Sequence, residues 1–355
     1  MYEKDFVFYL ATPAWGESYI NIFLNVSLPT LMAPDNLPFL CSKSEVHFSI
    51  YTTEEFASRI YENHLIKTLH KIATVIIEIL YIPIKSHYKN DKNYHSYNKA
   101  LYETKTNSYK DNLYKARLSK KINKVVVSLN ADIVFCNDFF KKTFSILLTG
   151  KKVIEVLGPR GNVLEISNAL NQKYYDPMHG YINISSLELL DLWIDNAHPL
   201  LNIHDWNGDS LHFNCSHIFW PIQDAKGWIA RCFFLYPIIL VLPNKKVEFT
   251  GTIDASLVIN CGYNKSDAEV ITNSQDLFCC ELSEKDKFAG SLGERGSIDS
   301  IRYIYKIYGS NYNIELLKEK IILGSDFSSS AWNKVTEESN HVIDQILNLA
   351  EKINS

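Results

Sequence analysis

No two of the seven cysteines stand as a C-x-x-C pair, so a zinc ribbon or finger is not supported. Their odd number and apolar surroundings fit buried free thiols in a reducing compartment. The chain has no basic surplus: a net charge of -4 and a pI near 6.3 argue against nucleic acid as the main partner. The longest apolar run, Cys232 to Leu242, is interrupted by Pro237 and is too short to span a bilayer. Glu3, Lys4 and Asp5 precede the first strand where a secretory layout would need apolar residues, so a cytoplasmic protein is expected. Neither G-x-G-x-x-G nor G-x-x-x-x-G-K-[ST] occurs, which leaves a dinucleotide fingerprint or a P-loop unsupported. Internal repeats and low-complexity tracts are also missing.

What is present is a globular composition. With 355 residues, 46% of them hydrophobic, the chain can build one large domain or two modest ones around a sizeable core. The most informative stretch is Lys124 to Phe135, KVVVSLNADIVF. Val125, Val126, Val127 and Leu129 form a short apolar run, β-branched at its three valines, suited to a parallel strand covered on both faces. It ends in Asn130-Ala131-Asp132, and the apolar Ile133-Val134-Phe135 follows. A carboxylate at the C-terminal tip of a buried strand lies where open α/β sheets bind ligands. Asp132 can therefore hold a divalent cation through hard oxygens, or serve only as an acidic turn residue.

The residues before this stretch alternate strand and helix. Residues 6 to 12 read as a strand, 17 to 32 as a helix, 46 to 51 as a strand, and 54 to 71 as a helix started by Thr52 and Glu55. Residues 74 to 82 form a third strand and 98 to 119 a helix, with loops expected at 34–44 and 85–98. The order β-α-β-α-β-α-β implies a doubly wound, mostly parallel α/β sheet.

An apolar strand, Asp-x-Asp and a second apolar strand resemble the metal and nucleotide-sugar motif of the GT-A glycosyltransferases. Asn130 stands where that motif has its first Asp, so Asp132 alone is a full match. The resemblance covers roughly residues 5 to 265. It implies a GT-A-like catalytic domain over 1–265 and a mainly helical appendage over 266–355. It further implies transfer of a sugar from a nucleotide-sugar donor to a sugar, lipid-linked or protein acceptor, assisted by manganese or magnesium. A nucleotidyltransferase, or a binding module that has lost catalysis, would use the same sheet. In the resembling enzymes the end of the first strand meets the nucleoside. Thr12, Trp15, Gly16 and Tyr19 are the matching residues, although Trp15 and Tyr19 can equally pack helix on sheet.

Later segments add candidates. Arg160, in the turn Gly158-Pro159-Arg160-Gly161, can neutralise a diphosphate or lie in solvent. Ser185 or Ser186 opens an amphipathic helix ending near Asn196, with Glu188 in its first turn. His198, His204, His212 and His217 cluster with Asp205, but none of their spacings is the i, i+4 of a helical zinc motif. Either one of them, His198 among them, serves the metal or diphosphate, or all are hydrogen-bonded cleft residues. Gly227 to Pro243 reads as continuous sheet with Pro237 at an edge or bulge. Val247 to Ile253 reads as a strand carrying Asp254 at its end, where Asp254 resembles the late acidic base of inverting GT-A enzymes or caps the next segment. Past 265, a strand is expected over 277–282, a glycine-rich hinge over 287–297, and helices over 298–308 and 312–322. A final helix carries Trp332, Val335, Val342 and Ile346 on one face. That face must dock on the body, on a second subunit, or on a membrane-associated partner.

Overall fold

The computed structural model describes residues 6–83, 91–209, 211, 216–222, 225–245, 247–285, 296–301 and 310–354. The first strand, β1 (Phe6–Pro13), is apolar at nearly every position and buried along its whole length. Such a strand must be covered on both faces and paired on both edges. It pairs in parallel with β2 (Glu45–Thr52) and β4 (Asn123–Ser128), and β3 (Thr74–Ile79) continues beyond β2. On the other side, β10 (Ile238–Val241) runs antiparallel between β4 and β6 (Val153–Glu155), and β11 (Ala268–Val270) closes the edge. The seven-stranded order is β11-β6-β10-β4-β1-β2-β3. The doubly wound, mostly parallel α/β sheet expected from the sequence is therefore present.

Helices cover it. Between β1 and β2 run α1 (Glu17–Ile22), a π-helical turn (Phe23–Ser27), α2 (Leu28–Leu31) and α3 (Leu37–Lys43). Then come α4 (Glu54–Glu62), α5 (His64–Leu69), the long α6 (Asp91–Leu118) and α7 (Phe139–Leu148). Phe8, Phe23, Phe48 and Phe140 are wholly enclosed in this layer. Each such side chain contributes roughly 2 kcal/mol in water-to-core transfer.

Two small sheets extend the body. In one, β12 (Cys279–Ser283) lies between β5 (Ile133–Phe135) and β7 (Arg160–Asn162). In the other, β9 (Gly227–Cys232) lies between β8 (His217–Pro221) and β13 (Ile321–Gly324). Helices α8 (Val163–Lys173), α9 (Ser186–Asp195), α10 (Ile253–Asn260), α11 (Asn311–Lys318) and α12 (Ala331–Asn354) complete the chain. Ser185 caps α9 in a reciprocal box with Glu188. The apolar face of α12 docks on the body: Trp332, Val335, Val342 and Ile346 join a core with Trp220 and Ile229.

Several expectations are corrected. Residues 37–43 are helical, because Pro38 sits in the first turn, where its missing N–H costs nothing. Residues 91–98 belong to α6, and 85–90 fall outside the described residues. The run around Pro237 is not one strand: the chain leaves the β8-β9-β13 sheet after Cys232 and enters the central sheet at Ile238. Pro237 precedes β10, with a cis bond from Tyr236, so no ladder hydrogen bond is lost. Val247 to Ile253 is not a strand. Two of its carbonyls are taken by side chains, Val247 by Arg117 and Thr250 by the Asn260 amide at 2.7 Å, and the Thr252 carbonyl accepts from Ser256 N–H at 3.1 Å. The helix expected over 312–322 stops at Lys318, and its last residues belong to β13. The hinge at 287–295 and residues 302–308 lie outside the described residues, whereas 298–301 are helical. Finally, β11 and β12 place residues beyond 265 inside sheets begun by the N-terminal half.

Candidate active site

The C-terminal ends of β1, β4 and β6 open on one side of the central sheet, and the start of β10 lies among them. A cleft of about 630 Å³ lies there, lined by α6, the Asn130 loop, Leu157 to Arg160, residues 200–204, β8 and the start of α10. Its position follows the rule that open α/β sheets bind ligands beyond the carboxyl ends of their strands.

Asn130, Arg160 and Asp254 all line this cleft. Asn130 is half-buried, and its Oδ1 accepts from the Tyr236 hydroxyl at 3.1 Å and lies 2.9 Å from the Tyr109 hydroxyl. Arg160 begins β7 rather than sitting in a free turn, and its Nη2 lies 3.4 Å from Glu281 Oε1. Asp254 occupies the first turn of α10, so a helix N-terminus positions it in place of the expected strand end.

Asp132 lies behind this wall, almost wholly buried. Burial first, and the neighbouring Glu281 carboxylate second, hold its pKa well above the usual carboxylate range, while Lys105 and Arg160 oppose them. The topology explains the pairing. Leu282 N–H donates to the Asp132 carbonyl at 2.8 Å, and Glu281 sits opposite Ile133 in the β5-β12 ladder. Lys105, Arg160 and Glu281 line the cleft in front of Asp132, and their charges act on its carboxylate. Among the described residues, no three His, Cys, Asp or Glu side chains form a cation cage. Paired hard-oxygen donors nonetheless suit a magnesium-like ion that takes one or two carboxylates and completes its shell with phosphate oxygens and water. Asp132 and Glu281 are the carboxylates available for such an ion, Glu281 on the cleft wall and Asp132 behind it.

The first βα turn adjoins the acidic pair. Tyr19, half exposed, has a pKa raised by burial and then by the charges of Asp132 and Glu281. Ser18 donates to Glu284 Oε1 at 2.6 Å, tying α1 to the end of β12. Gly16 adopts φ +80°, a left-handed conformation that glycine takes without steric cost, and so turns the chain into α1. Trp15 and Gly16 are half-buried, Thr12 is fully buried, and none of the three lines the cleft.

The histidines separate. His198 is buried as the N-cap of a 3₁₀ turn: Nδ1 accepts from Leu200 N–H at 3.0 Å, leaving Nε2 to donate to the Glu284 carbonyl at 3.0 Å. Both ring nitrogens are engaged, and His198 does not line the cleft. His204 and His217 do line it. Burial lowers the His217 pKa to about 4, so that ring is neutral at pH 7. His212 lies outside the described residues.

Sequence reasoning missed four contributors. Lys105, Thr106 and Tyr109 share one face of α6 through i, i+3 and i, i+4 spacing, a signal available in the sequence. Glu281 becomes visible only when β12 is threaded beside β5.

No family model and no curated protein matches this chain. Among solved structures, mouse xyloside xylosyltransferase 1 is similar at 13% identity and TM-score 0.28, over 42% of this chain and 53% of that one. The mannosyltransferase Ktr4p of S. cerevisiae is similar at 16% identity and TM-score 0.30, over 48% of this chain and 46% of that one. The 4-diphosphocytidyl-2C-methyl-D-erythritol synthase of Anaerococcus prevotii is similar at 11% identity and TM-score 0.31, over 87% of this chain and 98% of that one. The chain thus spans about half the length of the first two. TM-scores this low leave the functional argument to the residues of the cleft. Among the described residues, no helix is long and apolar enough to cross a membrane.

Proposed function

We propose that the protein is a nucleotide-sugar-dependent glycosyltransferase of GT-A type. The observation that carries this reading is that Glu281, Lys105 and Arg160 line a cleft at the carboxyl ends of the parallel strands, with the buried Asp132 carboxylate behind them. Lys105 and Arg160 bring positive charge to the place where a diphosphate leaving group would gain negative charge, and preorganised charge of this kind stabilises a transition state. Asp132 and Glu281 would hold the divalent ion. Bound there, it would supply Lewis-acid neutralisation of the diphosphate. Trp15 and Tyr19, beside the cleft and not in its wall, would flank the nucleoside, as the resemblance implies. Asp254, across the cleft, takes the acceptor proton. His198 is left out of the proposed chemistry, because both of its ring nitrogens hold the backbone.

A thermal-shift screen of UDP, GDP and CMP and their sugar conjugates, with and without manganese, tests the reading. Stabilisation by one nucleotide series, larger with manganese, supports it. Stabilisation only by a nucleoside triphosphate, together with release of pyrophosphate, would reassign the cleft to nucleotidyl transfer. No shift with any ligand would remove the reading.

A further inference from the structure

The Asn130 side chain is clamped on one side only. Its Oδ1 faces the hydroxyls of Tyr109 at 2.9 Å and Tyr236 at 3.1 Å, and those hydroxyls lie 3.3 Å from each other. The Tyr109 hydroxyl is also 3.0 Å from the Leu129 carbonyl, which fixes it against the turn that carries Asn130. The Asn130 amide nitrogen makes no hydrogen bond among the described residues, and the residue lines the cleft. Tyr109 is buried and Tyr236 half-buried, which disfavours their ionised forms, so they remain proton donors at neutral pH.

A cation ligand must present an oxygen lone pair, and this oxygen already faces two phenols. The amide N–H₂ is the group left to meet a ligand. Nearby, Asp132 and Glu281 supply two carboxylates, while Lys105 and Arg160 act against them. A third carboxylate at position 130 would add repulsion toward an anionic ligand, whereas a neutral amide adds a donor.

We propose that Asn130 donates a hydrogen bond from its amide nitrogen to a phosphate oxygen of the diphosphate ligand, held facing the cleft by the Tyr109–Tyr236 hydroxyl pair. This assignment rests on the proposed diphosphate-binding function. It makes Asn130 a ligand-contacting residue with a role distinct from that of an aspartate, and makes Tyr109 and Tyr236 positioning residues.

Calorimetric titration with inorganic pyrophosphate, in EDTA and again in magnesium, tests it. Asn130→Asp keeps the shape and the acceptor for both phenols but removes the donor. Its affinity is expected to fall about tenfold or more in EDTA, the scale of a hydrogen bond to a charged group. Tyr236→Phe is expected to weaken binding severalfold in the parent and to have no further effect in the Asn130→Asp background, with melting temperatures retained. Equal or tighter binding by Asn130→Asp in magnesium would make the position a cation ligand and overturn the assignment. An identical effect of Tyr236→Phe in both backgrounds would make the tyrosine clamp purely structural and overturn its positioning role. If the parent binds pyrophosphate while Asn130→Asp binds it equally, only this assignment falls. If the parent binds neither pyrophosphate nor any nucleoside diphosphate, the proposed function falls as well.

Discussion

Glu155→Gln is the substitution whose effect can be worked most fully from the structure. Glu155 lies on β6, wholly buried, in the strand that leads toward Arg160 at the start of β7. The Tyr312 hydroxyl donates to its Oε2, and Oε1 has no partner among the described residues. Burial pushes its pKa from 4.5 up to about 7, against smaller opposing effects of the Tyr312 hydrogen bond and Lys265. The folded protein therefore binds a proton on Glu155 in a range where the unfolded chain does not. A raised carboxyl pKa contributes stability that is fully present below about pH 4.5 and is lost as pH rises through about 7. At 1.36 kcal/mol per pKa unit, the site costs the folded state about 3 kcal/mol of stability across that window. Glutamine keeps the shape and cannot ionise. Urea unfolding of parent and variant at intervals from pH 4.5 to 8 should show the variant gaining steadily on the parent, by about 3 kcal/mol at pH 8. A parent-minus-variant difference that stays flat across this range would mean that Glu155 titrates as it does in the unfolded chain, and would refute the argument.

Asp254→Asn should lower turnover by about 10²–10⁴-fold with donor affinity nearly unchanged, because a group needed only in the transition state leaves ground-state binding alone. A collapse of donor affinity in the same titration would move Asp254 to the diphosphate site. Trp15→Ala should weaken nucleotide binding by about 1 kcal/mol or more if the ring stacks on the base. Unchanged affinity with a lower melting temperature would assign Trp15 to packing between α1 and the sheet.

The parallel core was legible because β1 is apolar at almost every position and β4 carries the Val125-Val126-Val127 run, as strands covered on both faces do, while β2 alternates in the period of a strand. The place of Asp132 just beyond β4 was legible for the same reason, since it follows the β-branched run Val125-Val126-Val127. Other elements were hidden by local chemistry. The first turns of α6 are rich in Tyr, His and Asn and resemble a loop, and Pro38 disguised α3 as a turn. Val247 to Ile253 alternates like a strand, yet both edges of β10 are already taken by β4 and β6 and leave it no partner in that part of the sheet. The partners of Asp132 were the least legible. Lys105 sits on a helix that reads as a connector, and Glu281 reaches the site only through the insertion of β12 between β5 and β7.

In the proposed function, Asp132 with Glu281 would hold the divalent ion on which binding of the donor diphosphate depends. Calorimetric titration of the nucleoside diphosphate selected by the thermal-shift screen, with manganese, into the parent and Asp132→Ala tests this most directly. The variant should keep its melting temperature and lose the manganese-dependent part of the affinity. Equal affinity and equal manganese dependence in the two proteins would make Asp132 a buried turn residue and contradict the account.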